Sequence, residues 1–333
     1  MTVTAFGHKA DGALVEAIRL RAGDISATIL TLGATLQDLR LAGTPWPLTL
    51  GCDQVAAYEG ACRWMGSVCG PVANRIGGAR AVIGGRTCRF EANERGRTCL
   101  HSGQTGTDQQ VWTIAAAGAD HCTLTLALAD GLGGFPGNRR LTAAFALRAP
   151  GILALTLTAV SDADSLMSLS NHSYWNLDGS AATTGHRLQV LADRYLPTDA
   201  DQLPLSPVPV AGTGFDLRGG RRLTGEMQLD HNFCLADAPR PLTEAARLTG
   251  AKGVEMRLFT DAPGLQVYDG AGLRSLPHIG HMGEPYGPFA GLALEPQFWP
   301  DAAGRADFPS IRLSPGQVWQ QQSEWHFCRR QKD

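Results

Sequence analysis

The sequence predicts an all-β protein, a sandwich or barrel of many short strands. Its texture is strand-like from end to end, with short bursts of alternating apolar and polar residues. Forty glycines and 19 prolines interrupt it at short intervals, the punctuation that many short strands require. No rhythm of strands alternating with long helical patterns appears, so a Rossmann or α/β-barrel reading is weak.

The elements follow in order. Residues 13–20 alternate in bursts, and residues 25–41 hold two β-rich runs broken at Gly33. Residues 81–83 and 87–90 flank Gly84-Gly85, which reads as a hairpin with a glycine turn. Residues 122–129 and 141–147 are strand-like. Residues 152–160 alternate almost strictly and put Leu153, Leu155 and Leu157 on one face. Helical periodicity is poor; residues 53–58 and 242–248 are the best short helices. Residues 198–213, rich in Pro, Ala and Asp, predict the longest loop. No polar linker or internal repeat divides the chain, so one domain over residues 1–333 is expected.

Composition excludes several functions. Hydrophobic residues make up 44% and charged residues 18%, and the net charge is −2. That balance gives no electrostatic reason to expect nucleic acid or an anionic membrane as a partner. No apolar stretch is long enough to span a bilayer. Lys9, Lys252 and Lys332 are the only lysines and none sits in a motif, so Schiff-base chemistry is not expected. The N-terminus lacks a basic segment followed by an apolar run. Eight cysteines without a C-x-x-C pair read as reduced, mostly buried thiols, and a cytoplasmic location is expected.

Six polar clusters carry the chemistry. Asn171-His172-Ser173-Tyr174-Trp175-Asn176 packs hydrogen-bonding groups that are costly to bury unless they pair or bind something. On a strand, His172, Tyr174 and Asn176 would share one face. Glu295 lies between an apolar run and Phe298-Trp299, with Gln297 sharing its face. A histidine titrates near about 6.5, and a buried glutamate is pushed up into the range of a usable base. Read alone, His172 also fits a satisfied core histidine, and Glu295 a solvent-facing strand residue. The remaining clusters are Asn74-Arg75, Leu100-His101-Ser102, Asp230-His231-Asn232 and Gln266-Val267-Tyr268. Rich in amides, carboxylates and guanidinium but poor in net charge, they suit a neutral polyhydroxyl ligand, whose hydroxyls both donate and accept. His278, His281 and Glu284 have a spacing that invites a metal, but Pro277, Gly280, Gly283 and Pro285 predict an irregular loop there, and no metal is expected.

In this order the clusters resemble the aldose 1-epimerase (galactose mutarotase) family. The resemblance rests on Gly51-Cys52-Asp53-Gln54 with Tyr58, Ala73-Asn74-Arg75-Ile76-Gly77, Leu100-His101, the 171–176 motif, Asp230-His231-Asn232-Phe233, Gln266-Val267-Tyr268, Leu294-Glu295-x-Gln297, Pro300-Asp301, Phe308-Pro309 and Pro315-Gly316. It covers roughly residues 25 to 320. It implies a large antiparallel β-sandwich and interconversion of the α and β anomers of a free aldose, a hexose or a pentose. It implies Glu295 as general base at the C1 hydroxyl, His172 as general acid at the ring oxygen, and His101 as a second histidine nearby. Asn74, Arg75, Asp230, Gln266 and Tyr174 are the implied sugar-binding set. No cofactor is implied, because no redox change occurs; a monomer or a homodimer is expected. A non-catalytic sugar-binding or sensor protein on the same scaffold is the alternative. Ser102, Trp175, Pro296 and the segment Gly70-Pro71-Val72-Ala73 depart from the common family pattern, and these changes are expected at the pocket's rim.

Overall fold

A computed structural model of the chain describes residues 2–330; Met1 and residues 331–333, Lys332 among them, lie outside the described residues. The expected domain span therefore runs beyond them at both ends.

The alternating segments become antiparallel strands. Ile152–Ser161 buries Leu153, Leu155 and Leu157 on one face, and pairs with Arg139–Arg148 on one side and Trp319–Arg329 on the other. These three strands form the middle of a nine-stranded sheet. Its order is Thr113–Ala117, His121–Leu128, Arg139–Arg148, Ile152–Ser161, Trp319–Arg329, Val254–Thr260, Thr243–Thr249, Arg187–Val190 and Arg221–Arg222. A four-stranded sheet holds Thr2–His8, Leu14–Ala22, Ile25–Leu30 and Thr35–Leu41 in sequence order, its last two strands separated at Gly33, which has φ +66°. The expected hairpin joins Arg80–Ile83 to Arg86–Arg89, with Ile83 opposite Arg86. Gly84 and Gly85 have φ of 55° and 77°; a turn left-handed at both central positions matches the twist of the strands it joins.

A six-stranded sheet positions the site. It runs Tyr174–Trp175, Leu292–Gln297, Gly264–Tyr268, Asp230–Cys234, Arg194–Tyr195 and Val208–Pro209. One face packs on the nine-stranded sheet. Trp175 lies 5.7 Å from Trp325 and 5.6 Å from Phe327 between ring centres, and Val267, Leu294 and Phe233 join the same core. Because successive side chains in a strand point to opposite faces, the other face carries the polar residues. Register places Asn232, Gln266 and Glu295 in one row, and Asp230, Tyr268, Ala293 and Tyr174 in the next.

Two local expectations change. The short helix Val55–Glu59 forms, but residues 242–248 do not make a helix; Thr243–Thr249 is a strand. Its Ala-rich sequence has helical propensity, and tertiary pairing overrides it. A register shift between Glu244 and Ala246 lets both Ala245 and Ala246 be buried, the two-against-one arrangement of a β-bulge. The 171–176 motif is likewise not one strand. Ser170–Asn171 pairs with Val68–Cys69, whereas Tyr174–Trp175 pairs with Leu292–Gln297, so the chain breaks at His172. No helix among the described residues is long and apolar enough to cross a membrane.

Candidate active site

The polar face of the six-stranded sheet floors a cavity of about 440 Å³, within the usual size range for small-molecule sites. Glu295 rises from the floor. His172 comes from the break between two short strands, held by a reciprocal backbone exchange: its N–H donates to the Ser67 carbonyl (2.8 Å) and its carbonyl accepts from the Gly66 N–H (2.9 Å). Gly66 has φ +79°, and a Cβ there would lie 2.3 Å from the Leu36 carbonyl oxygen, so only glycine lets this segment approach and anchor His172. His172 Nε2 then stands 3.5 Å from Glu295 Oε1.

Both groups are buried, and burial acts on them in opposite directions. It holds the His172 imidazole down to about 4. It raises the Glu295 carboxyl well above the usual carboxylate range, with the Asp230 charge adding to the rise and Arg75 opposing it. Burial thus favours the proton on the carboxyl group over the imidazole, so the pair offers one transferable proton between two acceptors. Glu295 Oε2 and His172 Nδ1 are buried with no hydrogen-bond partner among the described residues.

His101 lies 5.3 Å from His172 between ring centres. Its Nδ1 accepts from the Asn74 N–H at 3.1 Å, which leaves the proton on Nε2. His101, His172 and Glu295 offer ligand atoms all within 4.8 Å of one another, so a metal must be considered. A metal-bound imidazole normally donates from its second nitrogen; the second nitrogen of His101 accepts. The tautomer suits a hydrogen-bond donor to a substrate oxygen and does not fit a ligand set.

The wall opposite is built on Arg75. Its guanidinium grips Glu94 through two bonds of 2.9 Å, touches Asn74 Oδ1 at 3.4 Å and donates to Gln202 Oε1. Asp230 lines the cavity beside it. Burial raises the Asp230 carboxyl, against Arg75 and the Gln266 hydrogen bond. Gln266 does not line the cavity; its Nε2 donates to Asp230 Oδ1 at 2.6 Å from the adjoining row. Tyr174 lines it, 5.1 Å from His172 between ring centres. Asn176 faces away and caps the Ser180 and Ala290 carbonyls, contrary to its expected place beside His172. Gln297 is likewise buried outside the cavity, and Phe298 and Trp299 belong to the core.

Among the lining residues that escape sequence reading are Trp64, Gln202 and Gln228. The Trp64 ring lies 5.0 Å from His101 and 5.3 Å from the Arg63 guanidinium carbon. Backbone strain is the signal that groups them. Trp64, Asn74, His101, Gln202 and Gln228 all have φ between 49° and 71°, the left-handed region that non-glycine residues occupy mainly where surrounding structure imposes it, often at functional sites. A larger depression of about 680 Å³ between Arg80 and Arg312 holds no histidine or carboxylate, so it offers no acid–base chemistry.

Comparison with known proteins gives the family. The family model for aldose 1-epimerase matches residues 16–326. The chain belongs to the aldose 1-epimerase family. It is 32% identical to the galactose mutarotase of Mus musculus over 334 aligned positions, covering 96% of each chain. It is 32% identical to the aldose 1-epimerase of Escherichia coli K12, covering 93% of this chain and 94% of that protein. The structure of an aldose epimerase homologue from C. elegans superposes with a TM-score of 0.88 at 27% identity, covering 95% of this chain and 99% of that one. Galactose 1-epimerase from Lactobacillus acidophilus gives 0.84 at 27% identity, covering 99% of each chain.

The departures from the aldose 1-epimerase pattern lie away from the cavity, which corrects their expected placement at its rim. Ser102 Oγ bridges the Val72 N–H (2.9 Å) and carbonyl (3.1 Å). Trp175 is in the core, and the Pro296 carbonyl accepts from Ser170 and Gln321. The candidate metal loop also resolves into separate partners. His281 Nε2 meets the Gln37 carbonyl at 2.8 Å, and His278 Nδ1 meets Gln54 Oε1 at 3.3 Å, so each ring fastens the loop to a different segment.

Proposed function

We propose that this protein interconverts the α and β anomers of a free aldose, with Glu295 and His172 as the proton-transfer pair. The observation that carries the reading is the 3.5 Å separation of His172 Nε2 and Glu295 Oε1 inside one cavity. The hydroxyl oxygen and the ring oxygen of a hemiacetal are bonded to the same carbon. An acid and a base serving them must therefore stand close together.

The ring opens when one group takes the C1 hydroxyl proton as the other protonates the ring oxygen. With the carboxylate form of Glu295 as base, His172 is the acid. The carboxylic acid with neutral imidazole holds the same single proton and runs the reverse step. Rotation about C1–C2 followed by closure exchanges the anomer and returns the proton. His101 Nε2–H donates toward the ring-oxygen side. Asn74, Arg75 and Asp230 bind hydroxyls, Tyr174 offers its ring to a sugar face, and Gln266 acts by holding Asp230. The substrate is a free monosaccharide, an aldohexose or aldopentose. The chain works as one domain in a cytoplasmic setting, which the free thiols support. Every group used comes from one copy, so a monomer or a homodimer serves equally.

The test is polarimetry on freshly dissolved α-glucose, α-galactose, xylose and arabinose. At least one sugar reaches its equilibrium rotation well ahead of the uncatalysed rate. His172→Asn loses about 10²-fold or more of that acceleration. No acceleration with any of the four, or a His172→Asn variant at full rate, would overturn the assignment.

A further inference from the structure

Cys52 and Cys62 play no part in the proposed catalysis, and their placement calls for its own explanation. Both are free and buried, and their Sγ atoms are 3.3 Å apart. Cys62 lines a further cavity of about 310 Å³ together with Arg63, and this cavity shares Trp64, Tyr174 and Tyr268 with the candidate active site. The Sγ–Sγ contact with Cys52 lowers the Cys62 thiol, although burial opposes it. The same contact, with burial, raises Cys52. Cys62 lines the cavity and Cys52 does not, so the geometry assigns the attacking sulfur to Cys62.

The segment after Cys62 leads directly into the catalytic pair. Met65 N–H donates to the Cys62 carbonyl (3.0 Å) and Ser67 N–H to the Trp64 carbonyl (3.0 Å). The Trp64 ring lies against His101, and Gly66 and Ser67 make the backbone exchange that anchors His172. A disulfide needs its sulfurs about 2.0 Å apart, so closing the bond draws the two sulfurs, and this segment or the Gly51–Cys52 segment with them, together by about 1.3 Å.

We propose that Cys52 and Cys62 form a reversible disulfide site, closed by hydrogen peroxide and coupled through Arg63 to Ser67 to the catalytic cavity. The Cys62 thiolate attacks one peroxide oxygen; an S–O bond forms, the O–O bond breaks and hydroxide leaves. Cys52 sulfur then displaces hydroxide from the Cys62 sulfenic acid, forming S–S and losing its proton. Two thiols are oxidised, and peroxide is reduced to two waters. The coupling rests on the acid–base reading of the cavity; the crosslink does not.

The experiment treats the reduced full-length chain with hydrogen peroxide, quenches with N-ethylmaleimide and digests with trypsin. Residues 41–63 carry both cysteines in one fragment, since no Lys or Arg lies between Arg40 and Arg63. The fragment is expected to lose two hydrogens, to take up no maleimide and to recover both thiols with dithiothreitol. Mutarotation is expected to fall at least threefold and to return on reduction, while Cys52→Ala keeps its rate under the same treatment. Exposed Cys328 serves as an internal clock. If Cys52 and Cys62 both remain alkylatable after Cys328 is oxidised, the disulfide site is refuted, a result on the wild-type chain that needs no variant. A crosslinked fragment with an undiminished rate refutes the coupling.

Discussion

Replacing Glu295 by glutamine removes the proposed base and disturbs little else. The side chain is buried, Oε2 has no hydrogen-bond partner among the described residues, and Oε1 lies 3.5 Å from His172 Nε2. Glutamine has nearly the same volume, so no cavity opens and no hydrogen bond within the protein is lost. The new amide also removes an ionisable group that burial penalises. Thermal stability is expected to stay level or rise slightly. Catalysis is expected to fall by the worth of one positioned proton acceptor, about 10²- to 10⁴-fold, or about 3 to 5 kcal/mol of barrier. The assay is the first-order relaxation of optical rotation at several sugar concentrations, with the spontaneous rate subtracted, beside a thermal melt. The loss should lie in kcat with KM nearly unchanged, because the pair acts on the reacting atoms. Adding His172→Asn to Glu295→Gln should cost little more than either change alone, since the two act as a unit. A single variant within tenfold of the wild-type rate, or losses that simply multiply, would refute the shared-proton mechanism.

Two further outcomes follow from the same geometry. The active pair holds one proton, so activity is lost when a second is added. With His172 depressed to about 4 by burial, kcat/KM should stay flat as pH falls through the ordinary histidine range near about 6.5 and drop only toward 4. Loss of the last proton, governed by the raised Glu295, sets the alkaline limb, and an acid limb centred near about 6.5 would contradict the burial effect. Gln202→Ala removes an acceptor from Arg75 in a part-buried loop; KM should rise by about tenfold or more, the scale of one hydrogen bond to a charged group, with kcat and melting temperature little changed, and an unchanged KM for every accepted sugar would exclude Gln202 from binding.

How much was legible in the sequence depended on the range of the signal. The strict alternation of residues 152–160 and the paired glycines 84–85 predicted their elements, because a strand's period and a turn's backbone need are local. Residues 242–248 misled because Ala-rich propensity is weak against the pairing with Val254–Thr260. Asn176 lies off the face that alternation predicts, because alternation presumes one continuous strand and the chain changes partners at His172. Trp64 and Gln202 carried no pattern at all. Gln202 reaches the site only by meeting Arg75, 127 positions earlier in the chain.

By itself the sequence determined the strand-rich architecture, the residue types able to move a proton and the family that their order resembles. It left open which polar clusters would converge, because that depends on sheet register. Only the tertiary structure set Gln266 opposite Glu295 with Asp230 in the next row, and broke a strand to bring His172 to the carboxyl group. Folding also decided the proton positions: the Asn74 amide selects the His101 tautomer, and burial pushes the His172 imidazole and the Glu295 carboxyl in opposite directions. Those effects arise from packing between segments far apart in the chain, where no local pattern records them.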